Sequence, residues 1–336
     1  MLRRCLVVAA ALLTAACGDD DGNPFAGRGL SRPPSASAAL MFVSGSWAAQ
    51  PGGPRELLAL DAAGTSVERL TTCAEKASPP CDFVSVAPSP QRVRVAAIRT
   101  TPQAEQGANA LYFMDLSRSV ETILFSNRRI DSVDWSSDDS FLVYSALIPQ
   151  TNQADLFFSQ PNGQQEQNLT ESLAISERNA GIDPFSRTAV YERDEAGVSR
   201  IYLFRDTPLT SGPATGEALP GTPYVVGSDA DPVFSPDGTS IAFRRLTSTG
   251  NGGLGTWDIL TLRTDGRSQP VTIASGPRFR GAPDWGNEGL LYVETDAAAS
   301  RSELVVLQPD GSGRKVLRTE DAGYRMAAPR WLAAPR

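Results

Sequence analysis

DADPVFSPDGTSIAF, residues Asp229–Phe243, is the most patterned stretch of the chain, and its reading decides the fold. Ser235-Pro236-Asp237-Gly238 sits between two apolar runs. Pro236 presets φ near about −65°, which suits position i+1 of a tight turn, and Gly238 tolerates positive φ at its end. Asp237 is placed to accept hydrogen bonds from local amides. The cluster therefore reads as a type I turn with a bulge joining two antiparallel strands, and not as a serine nucleophile beside an acid.

With Phe234 as reference, the same frame recurs along the chain. It is visible in VDWSSDDSFLVY at Trp135 and PDWGNEGLLYV at Trp285, and weaker in VAPSPQRVRVAAI at Pro88 and AGIDPFSRTAVY at Ile182. A truncated copy, APRWL, ends the series at Trp331. The six anchors are spaced by 47, 47, 52, 51 and 46 residues. A second series of short extended segments keeps step: ELLALD at Leu57, ALYFMD at Leu111, DLFFSQ at Leu156, RIYLFR at Ile201, DILTLR at Ile259 and ELVVLQ at Leu304. Each unit thus holds about four short strands, and a period in this range argues for a propeller whose blades stack to bury two apolar faces each.

The frame also predicts how the ring closes. Residues 39–71 carry extended segments with no anchor strand before them, and Trp331 has no strands after it. The two half-units complete one blade, which leaves no open sheet edge. The expectation is an all-β, six-bladed β-propeller over 39–336, closed by the C-terminal strand joining the N-terminal blade. DPVFSPDGTSIAF resembles the repeat of TolB-type propellers, a WD-like family, although no room exists for the α/β domain that accompanies that family's propeller.

The N-terminus, MLRRCLVVAAALLTAACGDDDG, has a basic start, a short apolar run and small residues, which is the pattern of an export signal over 1–16. Leu13-Thr14-Ala15-Ala16-Cys17 resembles the lipobox of bacterial lipoproteins. That resemblance implies cleavage before Cys17, lipidation of Cys17 and attachment to the cell envelope; the other reading is a secreted protein cut nearby. Gly18 after the cysteine points to the outer membrane. Residues 17–38 form a lipidated cysteine and a Gly-, Pro-, Ser- and Asp-rich tether too polar to offset the entropy of ordering. Cys73 and Cys81 remain in the folded part, either as a local disulfide in an oxidising compartment or as two separate thiols.

Composition removes whole classes of function. The chain has 336 residues and a net charge of −7, and loss of Arg3 and Arg4 with the signal would take it to −9, which disfavours nucleic acid as a partner. It contains no histidine, so a Ser-His-Asp triad, a Cys-His pair and His-ligated zinc are excluded. No Gly-x-Ser-x-Gly elbow occurs. No catalytic residue or resident metal is assigned. Calcium is the one cofactor the residues suggest, through the oxygen ligands of Asp229 and Asp231; their spacing does not match an EF-hand.

The inner strands offer the candidate site. Positions four to six before the anchors should stand at one mouth of the central channel, and they hold Asp82, Arg129, Asp131, Glu177, Arg178, Asp229, Arg280 and Arg325, with Asp231 one step deeper. Every blade contributes a charge. Such a ring could hold a peptide, a protein tail or a small anion, since Arg makes bidentate contacts to carboxylates; the other reading is ordinary loop charges that pair with one another. The alternative is a hydrolase or lyase working in the channel through carboxylates and a metal ion.

Overall fold

The computed structural model describes residues 33–332, apart from 49, 73–81, 93, 101–108, 116–117, 119, 173, 187, 196, 206–215, 222–227 and 251–253. The export signal, Cys17, most of the tether and the Cys73–Cys81 pair lie outside the described residues.

Six antiparallel sheets form six blades. Blade 1 contains β1 (Ala38–Ser44), β2 (Glu56–Asp61) and β3 (Val67–Arg69), with β25 (Ala327–Trp331) as its innermost strand. Blade 2 is β4 (Asp82–Pro88), β5 (Arg94–Thr100), β6 (Asn109–Asp115) and β7 (Val120–Arg128). Blade 3 is β8 (Ile130–Trp135), β9 (Leu142–Ile148), β10 (Gln153–Ser159) and β11 (Gln167–Asn168). Blade 4 is β12 (Ser176–Ile182), β13 (Ala189–Glu195), β14 (Val198–Phe204) and β15 (Glu217–Ala218). Blade 5 is β16 (Asp229–Phe234), β17 (Ser240–Ser248), β18 (Thr256–Arg263) and β19 (Val271–Ala274). Blade 6 splits its inner strand into β20 (Phe279–Arg280) and β21 (Asp284–Gly286), followed by β22 (Gly289–Asp296), β23 (Arg301–Leu307) and β24 (Lys315–Asp321). Pro283 lies in that split and has no N–H to give to a ladder.

Every anchor falls at the end of an inner strand or, for Trp285, within the short β21. Every member of the second series falls in the third strand of its blade. The ring closes as the half-units require. β25 pairs antiparallel with β1, Leu40 opposite Trp331 and Met41 opposite Arg330, and the Leu332 N–H donates to the Ala39 carbonyl at 2.8 Å.

The SPDG cluster is the turn between β16 and β17. The Gly238 N–H donates to the Ser235 carbonyl at 2.9 Å with Gly238 at φ +69°, and the Ser235 hydroxyl donates to Asp237 Oδ1 at 2.6 Å. The same turn recurs with Asp139 at φ 59° and Arg92 at φ 65° in the glycine position. Those non-glycine residues cost about 1–2 kcal/mol each, which the flanking strands absorb.

The core is a set of apolar seams, one between each pair of neighbouring blades. Val43 and Leu57 meet Phe83 and Val95; Ile98 and Leu111 meet Trp135 and Tyr144; Leu156 and Phe158 meet Tyr191 and Phe204. Ile201 and Leu203 meet Phe234 and Phe243, and Leu291 and Leu304 meet Phe42 and Leu58 across the closure. Full burial of such side chains contributes roughly 1.5–3 kcal/mol each. The seam between blades 5 and 6 is thinner: its buried cluster is Ile259, Tyr292, Val305 and Leu307.

Candidate functional site: the central channel and its mouth

The inner strands do not run straight. The register shifts between Arg178 and Gly181 in β12, between Ala230 and Val233 in β16, and between Ile130 and Ser132 in β8. Asn179, Asp231 and Ala328, each three residues before an anchor, take φ of 50°, 52° and 47°. In β16 and β25 a proline follows, Pro232 or Pro329, so the bulge forfeits no donor there. A bulge re-aims the local side chain, and here it helps turn polar groups toward the axis.

The channel wall is charged. Asp134 in blade 3 feels both Arg330 of blade 1 and Asp284 of blade 6, the blade opposite, and Arg330 also feels Asp231 of blade 5. Interactions between opposite blades pass through the channel, so these four side chains share it. They also stitch neighbouring blades together. Asp134 Oδ2 accepts the Ile182 N–H at 3.2 Å, and Asp284 Oδ2 accepts the Trp331 N–H at 2.6 Å. Arg330 Nη1 reaches Asp284 Oδ1 at 3.3 Å. One layer away, Ser132 Oγ accepts the Asn179 N–H at 3.1 Å, and Glu192 Oε2 accepts the Asp231 N–H at 3.3 Å.

Glu192 is half-buried beside the channel. Burial, and next the Asp231 charge, push its carboxyl up to about 7, against the pull of Asn179 Nδ2, which donates to Oε2 at 2.9 Å. Asp231 itself is paired with Arg244 Nε, and the Arg244 guanidinium lies 4.0 Å from the Trp257 ring centroid. Burial likewise raises the Asp134 carboxyl.

The mouth residues separate into committed and uncommitted groups. Asp82 is gripped by Arg55 through Nε at 3.0 Å and Nη2 at 2.8 Å, with Arg325 Nη2 at 3.4 Å. Burial alone would raise the Asp82 carboxyl, but the Arg55 fork outweighs it and holds it below the ordinary value. Asp229 is buried and forked by Arg245 at 2.6 and 2.8 Å; burial still raises its carboxyl. Glu177 is buried, accepts the Ser172 hydroxyl at 2.6 Å, and is raised by burial.

Arg280 departs most from the expected ring. It is 4% exposed, and its guanidinium donates to Glu294 Oε2 at 2.9 Å and to the carbonyls of Trp257, Gly276 and Ser275 at 2.8, 3.2 and 2.6 Å. It is a clamp inside blade 6 and not a mouth ligand, because a guanidinium with every edge bonded to protein has nothing to offer a partner. The oxygen ligands suggested for calcium are similarly taken up, Asp229 by Arg245 and Asp231 by Arg244. Among the described residues no group of three or more His, Cys, Asp or Glu side chains is placed to hold a metal ion.

Arg129, Asp131 and Arg178 are different. Two arginines from blades 3 and 4 share one carboxylate, at 3.3 Å from Arg129 Nε and 3.8 Å from Arg178 Nε. Arg129 is 55% exposed at the side chain and Arg178 33%. The same two-to-one ratio holds at Asp82, shared by Arg55 and the 42%-exposed Arg325, whose Nη2 also donates to the Gly53 carbonyl at 2.6 Å; Arg129 is the most exposed of these arginines.

Counting back four to six residues from each anchor missed the deeper channel groups Asp134, Asp284 and Arg330. The signal for them was present: each immediately precedes its tryptophan anchor, and alternation along a strand places it on the face opposite the anchor. Glu192 and Arg244 lie on second strands, and only the packing brings them to the axis.

No protein-family model and no curated protein sequence matches this chain. Solved structures do. TolB from Acinetobacter baumannii aligns at TM-score 0.67 and 18% identity, over 89% of this chain and 68% of that one. A TolB-type protein of Agrobacterium tumefaciens aligns at TM-score 0.60 and 15% identity, over 88% and 98%. A chain of a nidogen/laminin complex aligns at TM-score 0.62 and 10% identity, over 89% and 100%. At such identities the likeness is one of fold: the chain is a six-bladed β-propeller of the TolB-like kind.

Proposed function

We propose that the chain is a non-catalytic propeller of the cell envelope, lipid-anchored at Cys17, that holds a protein or peptide partner at its channel mouth. The observation that carries this reading is the Arg129–Asp131–Arg178 group, where an exposed and a half-buried guanidinium share one carboxylate and so present positive charge to an acidic group of a partner. The TolB likeness supports an envelope setting, and the nidogen/laminin complex shows this fold in a protein assembly. Fold by itself is shared by unrelated functions, so the weight rests on the site.

The test is a crosslinking pull-down from native membranes with Arg129→Glu/Arg178→Glu. Both side chains have exposed edges, so thermal stability should stay within a few degrees while partner capture is lost. Unimpaired capture would refute the reading. Cys17→Ser should move the protein from the membrane fraction to the soluble one, and an unchanged distribution would refute the anchor.

One observation favours the second reading, a carboxylate-based hydrolase or lyase. Glu192, raised to about 7, stands beside Asp231 in the channel, and a carboxyl that titrates near neutrality can both give and take a proton. Native mass spectrometry after dialysis tests its metal-dependent form: retention of a divalent ion supports it, and no retention with no thermal stabilisation by added divalent ions counts against it.

A further inference from the structure

The seam between blades 5 and 6 is built unlike the other five. Among the described residues the others are filled by nine or more buried apolar residues and this one by four. Beside those four opens a cavity of about 390 Å³, lined by Arg278, Arg280, Arg301 and Arg314 together with Glu294 and Glu303. Its far wall is the short outer strand β19 with Ser275.

The two glutamates are buried and heavily subscribed. Glu294 Oε1 receives Arg278 Nη1 at 2.6 Å and Arg314 Nη2 at 3.0 Å, while Oε2 receives Arg280 Nε. Glu303 receives Arg314 Nη2 at 2.7 Å and Arg301 Nη2 at 3.0 Å. Four guanidiniums therefore line the cavity against two carboxylates. Two further acids flank it beyond hydrogen-bond range, Asp296 at 3.7 Å from Arg278 and Asp258 at 3.9 Å from Arg280. Arg280 is saturated. Arg278, Arg301 and Arg314 are not: Arg278 and Arg314 each hydrogen-bond protein through one terminal nitrogen, Arg301 ion-pairs Glu303 through one, and their side chains are 31%, 46% and 41% exposed.

We infer that this cavity is a binding site for a small oxyanion, a carboxylate or a phosphate group, taken up between Arg278, Arg301 and Arg314. The three approach from separate segments: the loop before β20, the start of β23 and the residue before β24. They hold their unspent donors around one space. Guanidinium forks match both anions, and the buried glutamates fix the arginines in place before any ligand arrives. The volume admits an anion with a modest organic body. The site lies on the flank of the ring and does not rest on the partner-binding role of the mouth.

The test uses the folded, signal-less protein at low ionic strength and two probes, sodium phosphate and sodium malonate. Each is titrated by thermal shift against sodium chloride at matched ionic strength. A saturable rise in Tm with either probe, beyond chloride, is expected, and which probe acts identifies the anion class. Arg301→Gln/Arg314→Gln should weaken that binding roughly tenfold or more. Arg129→Glu/Arg178→Glu should leave it unchanged, which separates this site from the mouth. If the double variant does not fold, Arg301→Gln alone, at the most exposed arginine of the three, should still raise the apparent Kd. No rise beyond chloride with either probe, or the same Kd in the Arg301 variants, would overturn the inference.

Discussion

Glu192→Gln should make the propeller more stable, and more so at alkaline pH. Glutamine keeps an oxygen to accept the Asp231 N–H and the Asn179 amide, so the local hydrogen bonds survive. What it removes is a charge that the channel resists. Burial, and next the Asp231 charge, raise the folded carboxyl from an ordinary 4.5 to about 7. An acid raised on folding contributes fully below its unfolded pKa, and that contribution is lost as pH rises through the folded pKa. The rise corresponds to a ceiling of about 3 kcal/mol above pH 7, at about 1.4 kcal/mol per pH unit. Glu192 is half-buried, and solvent screening discounts that figure, so about 1–2 kcal/mol is the realistic part. Urea unfolding of wild type and variant at pH 5 and pH 8 reads this directly. The variant should gain about 1–2 kcal/mol more at pH 8 than at pH 5. An equal effect at the two pH values would show that Glu192 is ionised throughout, and would refute the picture of an acid-crowded channel.

Two further expectations concern the residues that hold the ring together. Asp284→Ala strips the Trp331 N–H and Arg330 of their acceptor at the closing blade, and should cost about 2–4 kcal/mol in urea unfolding; an unchanged midpoint would mean the closure is held by β25–β1 pairing alone. Arg280→Met should cost a similar ~2–4 kcal/mol because it unpairs buried carbonyls, whereas Arg129→Met, at an exposed side chain, should stay within about 0.5 kcal/mol. Equal effects of those two substitutions would contradict the division of the mouth charges into committed and uncommitted groups.

The contrast between Arg280 and Arg129 shows where reading the chain stops. Both stand five or six residues before a tryptophan anchor, and nothing local distinguishes them. Their fates are set by neighbours far away in the chain. Arg280 finds Glu294 on β22, the Trp257 carbonyl of β18 and two carbonyls of the segment that joins blades 5 and 6, while among the described residues the Arg129 side chain finds Asp131, already in reach of Arg178. The Arg278–Arg301–Arg314 group was invisible for the same reason: its members come from three segments with no common repeat position.

The number of blades, the strand that each anchor ends, the SPDG turn and the closure by Trp331 were all determined by the sequence itself. They depend on local turn chemistry and on a period of about fifty residues, which neighbouring residues encode. Pairing of charges across the channel, the bulges that aim Asn179 and Asp231 inward, and the thin seam between blades 5 and 6 were decided only by tertiary structure. Those features depend on which side chains from different blades meet at short range, and electrostatic and packing energies fall off too steeply with distance to be read along a chain.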